Sequence, residues 1–125
     1  MRLLLDTHAL HWWLIDSARL STPARAAIAS PDNDILVSAA NGYELAQLIR
    51  LGRVTGDIAG LRPAIRRTGF AVLALTLEHA IDAGRLPGPH RDPWDRLIIA
   101  QALSEQLTVV TADRVFRDYG VAVLW

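Results

Sequence analysis

Apolar positions along this chain switch repeatedly between a strand-like and a helix-like pattern. "RLLLD" (Arg2 to Asp6) is a short apolar run without helical spacing and predicts a strand buried on both faces. A helix is expected from Thr7 or His8 to about Asp16. Another starts in "LSTPARAAIAS", with Ser21 or Thr22 as its cap and Pro23 in its first turn. "DILVS" (Asp34 to Ser38) predicts a second strand, and "AANGYELAQLIRLG" then runs with helical period until Gly52, a residue suited to the position just past a helix end. Gly56 to Thr68 reads as a weaker helix that Pro63 should kink or split. "FAVLAL" (Phe70 to Leu75) predicts a third strand, "TLEHAIDAG" (Thr76 to Gly84) a short helix capped by Thr76, and "RLPGPHRDP" a loop because of its prolines. The clearest helix runs from Pro93 to about Gln106. "LTVVT" (Leu107 to Thr111), a helical turn at Val115 to Asp118 and "GVAVLW" complete the chain.

Strands that alternate with helices predict a three-layer α/β/α sandwich around a mostly parallel, roughly five-stranded sheet. The 125 residues fit one domain, residues 1–125, with a core of its own. In such sheets ligands sit beyond the carboxyl ends of the strands, where strand order reverses. Asp6 ends the first strand, Glu44 lies in the helix after the second, and Asp113 follows the fourth. Asp92 and Asp95 open the helix that leads into the fourth, so five acids are candidates for one rim.

Composition narrows the chemistry. No apolar run approaches the roughly 18 residues of a membrane span, and Asp6 comes too early for a signal peptide, so a cytoplasmic protein is expected. Without Cys there is no disulfide, thiolate metal site or cysteine nucleophile. Thirteen basic residues balance thirteen acidic ones, so no global positive field advertises nucleic acid. Every basic residue is Arg, which removes Schiff-base, lysine-base and Walker-type chemistry.

Most of the acids have ordinary explanations. Asp6 suits a helix cap, Asp113 a cap for the following turn, and Asp92-Pro93-Trp94-Asp95 a capping box with Pro at the first helical position. Asp95 fits that explanation less well. At about 100° per residue it shares the apolar stripe of Ile98, Ile99, Ala102 and Leu103. Glu44 likewise lies within the arc of Leu45, Leu48, Ile49 and Leu51, where a carboxylate must pair with Arg, take up a proton or meet a cation. Carboxylates about 5 Å apart repel by roughly 3 kcal/mol per pair even at an effective dielectric near 20. A divalent cation is the economical compensation, and oxygen ligands select Mg²⁺ or Mn²⁺. His8 and His11 have a spacing seen in zinc sites but lack a third well-placed ligand. Trp12 and Trp13 suit core and partner-facing area, while Trp94 and Trp125 are read as packing residues.

"LLLDTHALHWWL", "VSAANGYELAQLIRLGR", "LPGPHRDPWDRLIIAQA" and "LTVVTADRVFRDYGVAVLW" together resemble a PIN-domain ribonuclease of the VapC toxin type. The resemblance spans nearly the whole chain and is weakest from Thr55 to Gly69. It implies a Mg²⁺- or Mn²⁺-dependent endoribonuclease whose acidic positions map onto Asp6, Glu44, Asp95 and Asp113. It also implies a homodimer and a VapB-type antitoxin that covers the acidic site, with Trp12 and Trp13 as candidate groove residues. Asp92 is either an extra acid or only the cap. His8 stands where many members carry Asn or Ser. Arg96, Arg114 and Arg117 near the rim are candidates for phosphate contacts or for ion pairs with these acids, and Arg62, Arg66 and Arg67 for a second basic strip.

Two rivals remain at this point. A receiver-like phosphoacceptor also gathers acids and Mg²⁺ at strand ends, but it uses a lysine, which this chain lacks. A noncatalytic PIN-fold binding module would keep the fold without the activity, and the presence of all four acids argues against it.

Overall fold

The computed structural model describes residues 1–125. Five strands, β1 (Arg2–Leu5), β2 (Asp34–Ser38), β3 (Ala71–Leu73), β4 (Thr108–Val110) and β5 (Val123–Leu124), form one sheet in the order β3-β2-β1-β4-β5, with every neighbouring pair parallel. Seven helices connect and cover them: α1 (Thr7–Leu14), α2 (Thr22–Ala29), α3 (Ala39–Arg50), α4 (Ile58–Thr68), α5 (Leu77–Arg85), α6 (Pro93–Glu105) and α7 (Val115–Asp118). The expected α/β sandwich is the observed one.

Side-chain alternation along the strands divides the core in two. Leu3, Leu5, Ile35, Val37 and Val110 point to one face, where Ala9, Leu10, Ala24, Ile28 and Leu45 close over them. Leu4, Leu36 and Val109 point to the other, against Ile98, Ile99, Ala102 and Phe116. The apolar run of β1 follows from this placement: Leu3, Leu4 and Leu5 are all fully buried, each contributing about 1.5–3 kcal/mol on transfer from water.

Three expectations are corrected. Pro63 does not split α4, which runs unbroken to Thr68. Both Pro63 and Ala59, the residue whose carbonyl loses its partner, are exposed, so water can replace the missing bond. Phe70 to Leu75 yields only Ala71–Leu73 as strand, because this edge pairs on one side alone. Leu103 leaves the apolar stripe of α6 and is 42% exposed, since eight residues at about 100° each carry it well off the Asp95 direction. No helix is long and apolar enough to cross a membrane.

Strand order reverses beside β1: the chain moves outward through β2 and β3, then returns to the other side of β1 as β4. The crevice at that reversal lies beyond the carboxyl ends of β1 and β4. Asp6 stands there, its backbone N–H donating to Val110 O at 3.1 Å.

Candidate metal centre

One cavity of about 360 Å³ opens above those strand ends, lined by Asp6, Glu44, Asp92, Asp95 and Asp113 together with Thr7, His8, Trp12 and Ala112. All four predicted acids meet there, and Asp92 joins them. Each is delivered by a different local device. Asp6 caps α1, its Oδ1 accepting the Ala9 N–H at 2.6 Å. Glu44 projects from α3, where Thr7 Oγ donates to its Oε1 at 2.5 Å. Asp92 caps α6 through Oδ1, which accepts the N–H of Trp94 at 2.9 Å and of Asp95 at 3.4 Å. The reciprocal half of a capping box is not made, because Asp95 Oδ2 turns instead to His90 Nε2 at 2.8 Å. Asp113 uses Oδ1 to accept the Val115 N–H at 3.0 Å, but the N-cap of α7 is Arg114, one residue on, so the expected capping role is not the one observed; Oδ2 makes no bond to the protein.

The cavity carries negative charge without a guanidinium to balance it. No Arg lines it, and the chain's two Arg–carboxylate bridges, Arg25–Asp16 and Arg85–Asp82, lie outside it. Burial pushes the Asp6 carboxyl up to about 6, with the nearby Asp95 charge adding to the shift; the Thr111 hydroxyl, the Ala9 N–H and His8 oppose it. Burial also raises Glu44, helped by Asp92 and Asp95 and resisted by the Thr7 bond and His8. Asp95 is raised by burial and by Asp92 and Asp113, against the His90 bond. Of the three fates open to Glu44, pairing with Arg is therefore not the one realised.

These donors fit a hard divalent cation: they are oxygens, several are desolvated, and they raise one another's proton affinity for want of a counter-charge. No three of the carboxylate or imidazole groups already stand together as a ligand cage. The acids surround a shared space and do not converge on one point.

The PIN domain family matches residues 3–122. Ribonuclease VapC22 of Mycobacterium tuberculosis is 33% identical over 122 residues, which cover 93% of this chain and 90% of that protein. The chain belongs to the PIN-domain family of VapC ribonucleases. Among solved structures, VapC20 of Mycobacterium tuberculosis, a Sarcin-Ricin loop cleaving toxin, aligns with a TM-score of 0.74 at 20% identity over 96% of both chains. VapBC2 from Rickettsia felis, bound to a promoter DNA fragment, gives 0.74 at 15% identity over 99% of this chain and 98% of that one. At these identities the likeness is one of fold.

Within this PIN fold the other predicted residues separate. Arg96 serves the backbone, donating to Ala83 O at 3.1 Å, to His90 O at 3.0 Å and to Leu86 O, so its three nitrogens hold the 83–90 segment and neither expected task describes it. Arg114 and Arg117 are exposed, with no side-chain bond to the protein, and neither lines the cavity. His8 reaches the cavity wall, whereas His11 is buried and bonds Thr55 O at 3.0 Å, so the pair is not a zinc site. Trp12 lines the cavity and packs on Trp125 with centroids 5.7 Å apart, and Trp13 packs on Phe70 at 6.0 Å. Trp94 stacks on Tyr43 at 4.6 Å.

Sequence reasoning missed Thr7 and His90 as partners of Glu44 and Asp95. Thr7 had a signal, an uncharged polar residue directly after the strand-ending Asp6. His90 had none, since the turn that brings a loop residue back to Asp95 has no periodic pattern.

Proposed function

We propose that this protein is a divalent-metal-dependent endoribonuclease, the toxin of a type II toxin–antitoxin pair, and that Asp6, Glu44, Asp95 and Asp113 are its metal-binding and catalytic acids. The observation that carries this reading is the set of carboxylates, four of them partly buried and none paired with a guanidinium, around one cavity at the strand-order reversal. A bound Mg²⁺ or Mn²⁺ supplies Lewis-acid neutralisation of the phosphate and lowers the pKa of water. Asp6, fixed by its cap, and Glu44, fixed by Thr7, offer ligands from the β1 and β2 sides. Asp95, oriented by His90, offers one from α6. Asp92 keeps Oδ2 free of the cap it makes and Asp113 keeps Oδ2 free of its bond to the Val115 N–H, and both add negative charge that favours a cation. No serine, cysteine or lysine lines the cavity and the Thr7 hydroxyl is engaged with Glu44, so water is the nucleophile that these residues serve. The exposed Arg114 and Arg117 are the remaining candidates for phosphate contacts along the RNA.

The same reading takes residues 1–125 as one PIN-like nuclease domain that works in the cytoplasm as a homodimer and is held inactive by a VapB-type antitoxin. The fold likeness to the VapBC complexes of Rickettsia felis and of Haemophilus influenzae supports the partner. Apolar side chains left at the surface, Val72, Leu77 and Ile81 among them, offer area for such contacts.

Brief induction followed by mapping of cleavage ends on total RNA tests the reading, with Asp6→Ala as control. New ends in the wild type that disappear in the variant are expected. Equal cleavage by both proteins would reject the acidic site, and absence of new ends would favour the noncatalytic module.

A further inference from the structure

Beneath the acidic cavity lies a second polar group, fully enclosed, that the nuclease reading does not use. Ser38, Asn41 and Gln101 are at most 1% exposed, and His79 is 2% exposed. Gln101 stands on α6 three residues after Ile98, at a position where a leucine would extend the apolar stripe.

The donors diverge from Ser38, whose backbone N–H starts the run toward Glu44 and whose hydroxyl turns to Gln101. Thr7 Oγ has a single proton, which goes to Glu44 Oε1 at 2.5 Å, and Thr7 Oγ accepts from Asn41 Nδ2 at 3.1 Å. Asn41 Oδ1 accepts the Ser38 N–H at 2.7 Å, which fixes which way the amide faces. Ser38 Oγ accepts the Ala40 N–H at 3.0 Å, so its own proton is free to go to Gln101 Oε1 at 2.5 Å. Gln101 Nε2 then donates to Ala74 O at 3.3 Å and lies 3.5 Å from His79 Nδ1. The buried His79 is anchored in turn, with Nδ1 accepting the Thr76 N–H at 3.1 Å and Nε2 bonding Glu105 Oε1 at 3.0 Å.

Two features set this chain of bonds apart from ordinary core satisfaction. It terminates on a carboxylate that faces the cavity, and it ties the N-cap of α3 to the middle of α6, the two helices that carry Glu44 and Asp95. We infer that Gln101 is a positioning residue for the metal centre, holding α3 against α6 through Ser38 and, by way of Asn41 and Thr7, setting the orientation of the Glu44 carboxylate. The inference rests on the metal-binding reading above and deepens it. Groups that orient metal ligands from behind typically change affinity by about 10–100-fold when removed.

Gln101→Leu fills the same space without a hydrogen-bonding group, and Gln101→Met, whose side chain adapts more readily, serves if the first variant does not fold. The side-chain rotamer of Glu44 is read by NMR couplings in the metal-free protein, and Mn²⁺ affinity by titration calorimetry with Mn²⁺ alone. A single Glu44 rotamer in the wild type that becomes averaged in the variant is expected, with Mn²⁺ binding about 10-fold weaker. In a Glu44→Gln background the Gln101 substitution is expected to cause no further loss of affinity, whereas a merely structural role would lower both alike. A variant with one Glu44 rotamer and wild-type Mn²⁺ affinity, or with an equal loss in both backgrounds, overturns the inference. If the wild type binds no Mn²⁺, the metal reading fails, and the rotamer comparison still decides the part played by Gln101.

Discussion

Ser38, Asn41, Gln101 and His79 are as deeply buried as the leucines of β1, and every one of them finds a hydrogen-bonding partner within the protein. One helical turn further along α3, and at the head of α6, the carboxylates of Glu44 and Asp95 share a cavity with Asp6 and are left without a guanidinium, although the chain contains as many basic as acidic residues. The first region obeys the rule that buried polar groups are satisfied. In the second each carboxylate also has a hydrogen-bonding partner but none has a guanidinium, and raised proton affinities at Asp6, Glu44 and Asp95, driven first by burial, register the cost. Adjacent sites on the same two helices thus have opposite electrostatic character. A fold able to satisfy Gln101 at the centre of a helix could have placed an arginine at the rim, so the missing charge there is read as space for a ligand of positive charge.

Neutralising an acid of the cavity should have the largest effect. Asp6→Asn or Asp95→Asn is expected to lower metal-dependent RNA cleavage at least about 100-fold, because metal-assisted charge stabilisation contributes several kcal/mol to such reactions. Cleavage assays on purified protein, with circular dichroism to verify the fold, check this. Wild-type rates would place the chemistry elsewhere.

The pH dependence of stability separates the two regions next. Asp6 binds its proton more tightly folded than unfolded, from the ordinary 3.8 up to about 6. Between those values the folded state holds more protons, so stability falls as pH rises and the full penalty is present above about pH 6. Metal-free protein should therefore lose up to roughly 3 kcal/mol between pH 4 and pH 7 on account of this group. Asp6→Asn should flatten that slope and stabilise the metal-free fold at neutral pH, as followed by chemical denaturation. A stability that rises through this window would show that Asp6 is compensated after all.

Mn²⁺ or Mg²⁺ should reverse that penalty by occupying the cavity. At 100 times its dissociation constant a cation that binds only the folded state adds about 2.7 kcal/mol. Thermal melts with metal and with chelator measure the gain, which should be much reduced in Glu44→Gln. The smallest effect is expected at a paired, solvent-exposed acid. Asp16→Asn breaks the 2.6 Å bridge to Arg25 and should cost under about 1 kcal/mol, with RNA cleavage unchanged.

Legibility from sequence follows the same division. The strands of β1 and β2, the caps at Ser21, Thr76 and Asp92, and the rim placement of the acids all come from short-range rules of period and turn chemistry. Glu44 and Asp95 stand out because each lies on an apolar stripe. What could not be read depends on contacts between distant segments: Thr7 meets Glu44 across 37 residues, and Ser38 meets Gln101 across 63. Arg96 is instructive in the other direction. Its position beside Asp95 suggests phosphate chemistry, yet the Ala83 carbonyl in the last turn of α5 and the loop carbonyls of Leu86 and His90, all without a ladder partner, claim its donors first. Pro63 reads as a helix breaker because propensity takes no account of exposure, and α4, which buries no residue fully, leaves the unpaired carbonyl to water.

Crystals grown with Mn²⁺ test the shared cation most directly, since anomalous scattering locates the ion without reference to the protein. A peak in the cavity, contacted by Asp6 and by at least one of Glu44 and Asp95, is the result expected. Full-occupancy Mn²⁺ sites elsewhere with none in the cavity, or a cavity in which each acid has taken an arginine partner, would contradict it.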